Sequence, residues 1–266
     1  MRDRYSRYQR LLFDRPSDAV LRVTLSNPRK LNAMDERTHA EIAGVWADIH
    51  ADPEIRAVIV RGAGHAFSAG GSFDVARGMM DGYAARMRMW NEARELVYGM
   101  LNCRQPIVSA ISGPAVGAGL ACALLADVSI AADTARLIDG HTRLGVAAGD
   151  HAAIIWPLLC GMAKTKRYLL LGEELSGAEA ERIGVVSMAV SEAELERTSV
   201  AVAERLASGP ATALAFTKHA INSWLRVASP IFDGSIALEL LGFTGPEASE
   251  GLNSHLERRT PQFNAP

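Results

Sequence analysis

The chain has little of what marks several large classes of protein. It contains three cysteines in 266 residues, Cys103, Cys122 and Cys160, with no CxxC pair. That count excludes a disulfide scaffold and fits a reducing, cytoplasmic setting. Histidines number seven and are scattered, with no HxxxH spacing, so the sequence shows no metal cluster. No GxGxxG fingerprint and no P-loop lysine occur, so no redox or nucleotide cofactor is predicted. Charge of one sign is also lacking: 28 basic against 30 acidic residues leave a formal charge of −2. Nothing in that balance points to nucleic acid or an anionic membrane surface. No apolar run reaches 18 residues, and the start, Met1-Arg-Asp-Arg-Tyr5, has no apolar signal core. Internal repeats and low-complexity tracts are absent.

What is present is an average globular composition, 48% apolar and 22% charged. Residues 19–26 alternate apolar and polar and predict a half-buried strand, stopped by Asn27-Pro28. Ile42, Val45, Trp46 and Ile49 recur at helical spacing over 36–50. Runs at 57–60, 106–112 and 128–132 read as buried strands, and 81–102 and 120–125 as helices. Strands alternating with helices predict an α/β fold. From about residue 190 the pattern becomes all-helical, over 191–208, 210–226, 230–242 and 246–258. The predicted organisation is a core at 1–190 carrying the active site and a helical oligomerisation region at 191–266.

Two glycine-rich stretches each follow a buried strand: Phe67-Ser-Ala-Gly-Gly71 and Gly113-Pro-Ala-Val-Gly-Ala-Gly119. Read alone, each is a turn that needs glycine. Read together, they supply bare backbone N–H groups that could converge as an oxyanion hole, reinforced by the dipole of the helix that follows.

These segments, with Asn27-Pro-Arg-Lys-Leu-Asn-Ala-Met34, Asp127-Val-Ser-Ile-Ala-Ala132, Ser176–Ser187 and Glu250–Arg259, resemble the crotonase (enoyl-CoA hydratase/isomerase) superfamily over roughly residues 10–263. The resemblance implies a spiral of ββα units followed by a helical trimerisation region. It implies an acyl-CoA thioester as substrate, coenzyme A entering as part of that substrate, and assembly as a homotrimer or dimer of trimers. Carried over by position, the enolate-stabilising N–H donors are Gly71 and Ala118. Arg29, Lys30, Ala33, Ala69 and Arg258 fall at CoA-binding positions, Arg258 at one that reaches CoA on a neighbouring subunit. Met79, Met80, Met87 and Met89, with Trp90, lie in the region that covers the acyl group.

The chain departs from the hydratases of that superfamily where it matters most. The two positions that hold catalytic glutamates there are Ala121 and His141 here. Alanine transfers no proton, so the two-glutamate hydration mechanism is absent as written. His141 can act as acid or base near neutrality, and Asp150 can orient it or hold a water. His151 ranks below His141, because neighbours in an extended segment point opposite ways. The stretch from His141 to Asp150, followed by Trp156-Pro157, resembles the oxocamphor hydrolase branch, which cleaves a C–C bond between two ketones. That likeness adds Glu239 from the helical tail. An aspartate near position 150 also serves aryl-CoA dehalogenases, but Trp90 and Trp156 do not match their partner residues. Three readings follow: an acyl-CoA enzyme using His141 and Asp150, a C–C hydrolase using the same pair, and a silent acyl-CoA-binding subunit.

Overall fold

Capping and apolar stripes account for the first layer of structure. The computed structural model describes residues 4–263. Strand β1 (Leu11–Ser17) pairs antiparallel with β2 (Val20–Leu25), an edge that sequence alternation disclosed only in its second half. Helix α1 (Glu36–His50) begins at Asp35, whose carboxylate accepts the Thr38 N–H at 2.9 Å. Its stripe of Ile42, Val45, Trp46 and Ile49 is fully buried. The strands β3 (Ala57–Gly62), β4 (Ile107–Ile111) and β6 (Val128–Ala132) are β-branched or small except for the half-buried Arg61, as suits strands covered on both faces. With β9 (Met188–Val190) they complete a six-stranded sheet in the order β1-β2-β3-β4-β6-β9, parallel from β2 onward.

A second, three-stranded sheet joins β5 (Pro114–Val116), β7 (Arg136–Ile138) and β8 (Leu175–Ser176). Thus the glycine-rich stretch 113–119 is not simply a turn. Its first half is β5 and its second half opens α4 (Gly117–Leu124). The helix predicted over 81–102 is α3 (Tyr83–Asn102), and a separate helix that the sequence did not disclose, α2 (Phe73–Asp81), capped by Ser72, precedes it across Gly82. Helix α5 (Ala152–Leu171) breaks at Gly161, whose φ of +76° is outside the helical region. A short helix, α6 (Gly177–Arg182), leads to β9.

The tail holds α7 (Glu192–Ser208), α8 (Ala211–Ile221), α9 (Ser223–Val227), α10 (Ser229–Gly242) and α11 (Pro246–Leu256). The single helix predicted over 210–226 is interrupted at Asn222. Helix α7 packs on β3, β4 and β6, whereas α10 reaches α3 and α5, and α11 covers α2 and the 3-10 turn at His141–Leu144. The all-helical tail therefore closes over the core at the end where the glycine-rich stretches lie. No helix among the described residues is long and apolar enough to cross a membrane.

Candidate active site

The two glycine-rich stretches are brought together by backbone register. Ser68 and Ala115 form a parallel bridge: the Ser68 N–H donates to Pro114 O, and the Val116 N–H donates to Ser68 O, both at 3.0 Å. Three residues on from that bridge along each strand stand Gly71 and Ala118, and both line one cavity of about 330 Å³. On the Gly71 side, Met34 N–H donates to Gly70 O and Ser72 N–H to Met34 O, so the bonds of this bridge fall on the flanking residues rather than on the Gly71 N–H. Ala118 lies in the first turn of α4, where the leading N–H groups have no intrahelical acceptor. Gly119 is required by close packing, since a Cβ there would run into the Ser68 side chain. Phe73 follows this loop directly as the first residue of α2.

The opposite wall carries the ionisable groups. His141 opens the 3-10 turn after β7, and its Nδ1–H donates to Asp139 Oδ1 at 2.9 Å. Its Nε2 lies 3.8 Å from Asp150 Oδ2 and 3.6 Å from Glu239 Oε1, separations that leave Nε2 without a direct hydrogen bond. Asp150 sits at the start of α5, its Oδ1 accepting the backbone N–H groups of His151 at 2.6 Å and Ala152 at 3.3 Å. The same oxygen meets His151 Nδ1 at 2.7 Å. Glu239 comes from α10, which is tied to this turn by Ser235 Oγ donating to Gly149 O at 2.6 Å. Gly149 permits the approach, because any Cβ there would strike the α10 backbone at Ser235.

The charge states follow from burial and neighbours. Burial opposes a charge on His141, yet Asp139, Glu239 and Asp150 hold its pKa well above the ordinary histidine value. Burial would also raise Asp150, but His151 and His141 hold it below the usual carboxylate range. Glu239 goes the other way: burial, aided by Asp150 and Asp139 against the pull of His141, pushes it up to about 8. These directions favour the protonated ring of His141 beside Asp139 and Asp150, and the protonated carboxyl of Glu239. With Glu239 neutral, the two aspartates carry the support for the His141 charge. Both a proton donor and a proton acceptor face the same cavity.

Of the residues singled out from sequence, His141, Asp150, Glu239, Gly71, Ala118 and Ala69 line this cavity together, with Ala121 beside them. Arg29 and Lys30 lie outside it, exposed on a 3-10 turn. That turn is joined to Ala69 by the Ala69 N–H donating to Leu31 O at 2.9 Å. Ala33 is half-buried just beyond. Arg258 lines a neighbouring pocket with Arg143 and His255, two residues that also reach the cavity. Among the methionines, Met79 and Met89 line the cavity, but Met80, Met87 and Trp90 do not. They sit on the other faces of α2 and α3, and Met87 is 38% exposed.

The ranking of His151 below His141 rested on extended backbone, and residues 149–151 are a turn instead. Asp150 and His151 therefore face the same centre, and His151, fully buried, hydrogen-bonds the Asp150 carboxylate. One further histidine escaped the sequence reading. His39 on α1 is 6% exposed and lines the cavity beside Gly71. Its only signal was its place on the stripe with Ile42, Trp46 and Ile49, where a histidine reads as core. The sequence also showed no metal-ligand spacing, but the fold gathers donor atoms of Asp139, Asp150 and His151 within 4.8 Å of one another. The Oδ1 atoms of both aspartates are engaged by ring nitrogens, which makes the group a hydrogen-bonded network as it stands.

Known proteins share this arrangement of chain. The family model for enoyl-CoA hydratase/isomerase matches residues 15–266. A Rhodobacter capsulatus protein named as a probable enoyl-CoA hydratase is 33% identical over 253 residues, covering 93% of this chain and 95% of its own. The 1,2-epoxyphenylacetyl-CoA isomerase of Escherichia coli is 30% identical over 250 residues, covering 92% and 94%. The crystal structure of an enoyl-CoA hydratase/isomerase from Mycobacterium paratuberculosis superposes with a TM-score of 0.87 at 30% identity, covering 92% of this chain and 98% of that one. With a crotonase fold and a family match over nearly its whole length, the chain belongs to the enoyl-CoA hydratase/isomerase family.

Proposed function

We propose that this family member is an acyl-CoA-processing enzyme in which His141, with Asp150 and Glu239, stands in for the usual glutamate pair. The observation that carries the reading is that Gly71, Ala118 and His141 line one cavity. A thioester oxygen at the Gly71 and Ala118 N–H groups gains hydrogen bonds that strengthen as it takes on enolate charge. The imidazolium then delivers, or as imidazole removes, a proton at carbon, while Asp150 and Glu239 hold the ring between two proton states. Ala121 leaves no second glutamate, so rapid hydration of simple enoyl thioesters is not expected.

Arg29 and Lys30, beside Ala33 and Ala69, suit the CoA phosphates, and Arg258 offers a further cation. Coenzyme A is carried by the substrate rather than held as a cofactor. Self-association into a homotrimer, or a pair of trimers, is supported by large apolar side chains left exposed on the tail: Trp224 at 73%, Val227 at 78% and Leu241 at 65%.

A second reading is favoured by the convergence of Asp150 and Glu239 on His141 Nε2. Water there, giving up a proton to the Asp150 carboxylate, would attack one carbonyl of a β-dicarbonyl substrate. The C–C bond would break to give a carboxylic acid and an enolate held by Gly71 and Ala118, and a proton from His141 would return to the α-carbon.

The test is turnover of crotonyl-CoA, of a ring-bearing enoyl-CoA and of a cyclic diketone by wild type and His141→Ala. Loss of the conjugated thioester absorbance that depends on His141 supports the first reading. Cleavage of the diketone alone moves the assignment to C–C hydrolysis, and tight acyl-CoA binding without turnover of any of the three makes the chain a silent binder.

A further inference from the structure

Two of the histidines that line the cavity hold a carboxylate at Nδ1: His141 holds Asp139 and His151 holds Asp150. His39 does not. Among the described residues no protein group hydrogen-bonds its ring, although the residue is 6% exposed and lines the cavity. His151 Nε2 is sealed off without a partner, whereas the ring nitrogens of His39 are not among the atoms so enclosed, which leaves the His39 ring open to a ligand or water in the cavity. The Nε2 atom of His39 comes within 3.9 Å of where a Cβ on Gly71 would stand. His39 Nε2 and Gly71 therefore border the same part of the cavity.

We propose that His39 Nε2–H is a third donor to the substrate oxygen, a side-chain member of the oxyanion hole beside the Gly71 and Ala118 N–H groups. This rests on the reading that an enolate oxygen is bound at those two groups. The ring suits the part because it is uncharged. Burial, with Arg88 adding to it, lowers the His39 pKa to about 4 despite the opposing pull of Asp150 and Asp35. A neutral imidazole keeps one N–H to donate across the whole working pH range. It does not compete with His141 for the Asp150 carboxylate. The two walls then have separate tasks: His39 and the backbone bind oxygen, and His141 moves the proton.

The experiment measures the apparent pKa of two bound enolisable probes, acetoacetyl-CoA and pentane-2,4-dione, from the ultraviolet absorbance of their enolates. Wild type, His39→Leu and His39→Gln are compared, with far-ultraviolet circular dichroism to confirm folding and His39→Met as a second apolar variant. Wild type should raise the enolate fraction of a bound probe. His39→Leu should lose about tenfold to a hundredfold in the enolate-to-neutral ratio, the size of a hydrogen bond to a charged group. Probe affinity in the neutral form should hold, and His39→Gln, whose amide can donate, should recover most of the loss. An enolate fraction unchanged in His39→Leu overturns the proposal, as does a His39→Gln variant as impaired as the apolar ones. A wild type that enolises the dione through His39 but does not bind acetoacetyl-CoA overturns the acyl-CoA reading and leaves His39 standing. No enolate signal with either probe overturns both.

Discussion

Replacing Asp139 by Asn tests the electrostatics of the centre without altering its shape. Asp139 is 2% exposed, and its Oδ1 receives both the His141 Nδ1–H at 2.9 Å and the His141 backbone N–H at 3.3 Å. The amide keeps an acceptor oxygen but removes the charge. Two unit charges about 4 Å apart interact by about 4 kcal/mol at an effective dielectric of about 20. That is an upper figure, because the amide dipole still faces the ring and Asp150 remains. A fall of about 1–3 units in the His141 pKa is expected. The sign for stability follows from linkage. His141 is raised in the folded chain, so its contribution is fully present below the ordinary histidine value and is lost as pH rises through the folded one. Asp139→Asn should therefore destabilise the protein more at pH 5.5 than at pH 9. Ring-nitrogen NMR titration, with His141 assigned by a His141→Gln variant, reads the pKa directly, and urea unfolding at the two pH values reads the stability. A His141 titration unmoved by the substitution, or a stability loss larger at pH 9, would refute the assignment of the imidazolium to its carboxylate partners.

The remaining predictions concern donors, packing and assembly. Ala118→Pro removes one N–H in the first turn of α4, where proline is tolerated, so turnover should fall by about 10²–10³ while thermal stability changes little; equal turnover would remove Ala118 from the site. Gly119→Ala forces a methyl against Ser68, whose Oγ would lie 2.7 Å from it, and should cost about 1–3 kcal/mol in urea unfolding. Because Glu239 is raised to about 8 by burial, its neutral form stabilises the fold below its unfolded pKa, and that support is lost as pH rises through about 8. Glu239→Gln should therefore flatten the decline in stability between about pH 5 and pH 8. Light scattering should report self-association of the wild type and its loss in a Trp224→Glu, Leu241→Glu variant; a monomeric wild type would end the trimer proposal.

How far the sequence discloses this protein depends on the scale of the signal. β2, α1, β3, β4 and β6 were legible because each carries a full period of apolar residues or a cap, as with Asp35 before α1. β7, β8 and β9 were not, since two or three residues carry no period at all. α2 was hidden for another reason. Its buried residues Val75, Ala76 and Met79 make barely one turn of stripe, and the glycines on both sides read as loop. The family resemblance brought the donors and Glu239 into view. It did so by position, and no spacing in this chain links residue 239 to residue 141.

The ionisable centre shows where pattern reading stops. Asp139 and His141 are two apart, and Asp150 and His151 are adjacent, so any account of them depends on backbone shape rather than on composition. An extended segment would send Asp150 and His151 to opposite sides, but the turn before α5 bends both toward His141, and the Asp150 carboxylate fixes that bend by accepting the His151 and Ala152 N–H groups. The acid is thus at once a helix-starting group and a partner of the imidazolium. Those two roles compete for the same residue: its Oδ1 is spent on the turn and His151, and only Oδ2 faces His141 Nε2 at 3.8 Å. In the proposed chemistry Asp150 acts through Oδ2 alone. Asp150→Asn, in which either oxygen or nitrogen must take that place, should damage the turn and the proton transfer together, whereas His151→Gln, which frees Oδ1 without removing charge, should loosen the orientation of Asp150 and leave the His141 imidazolium in place.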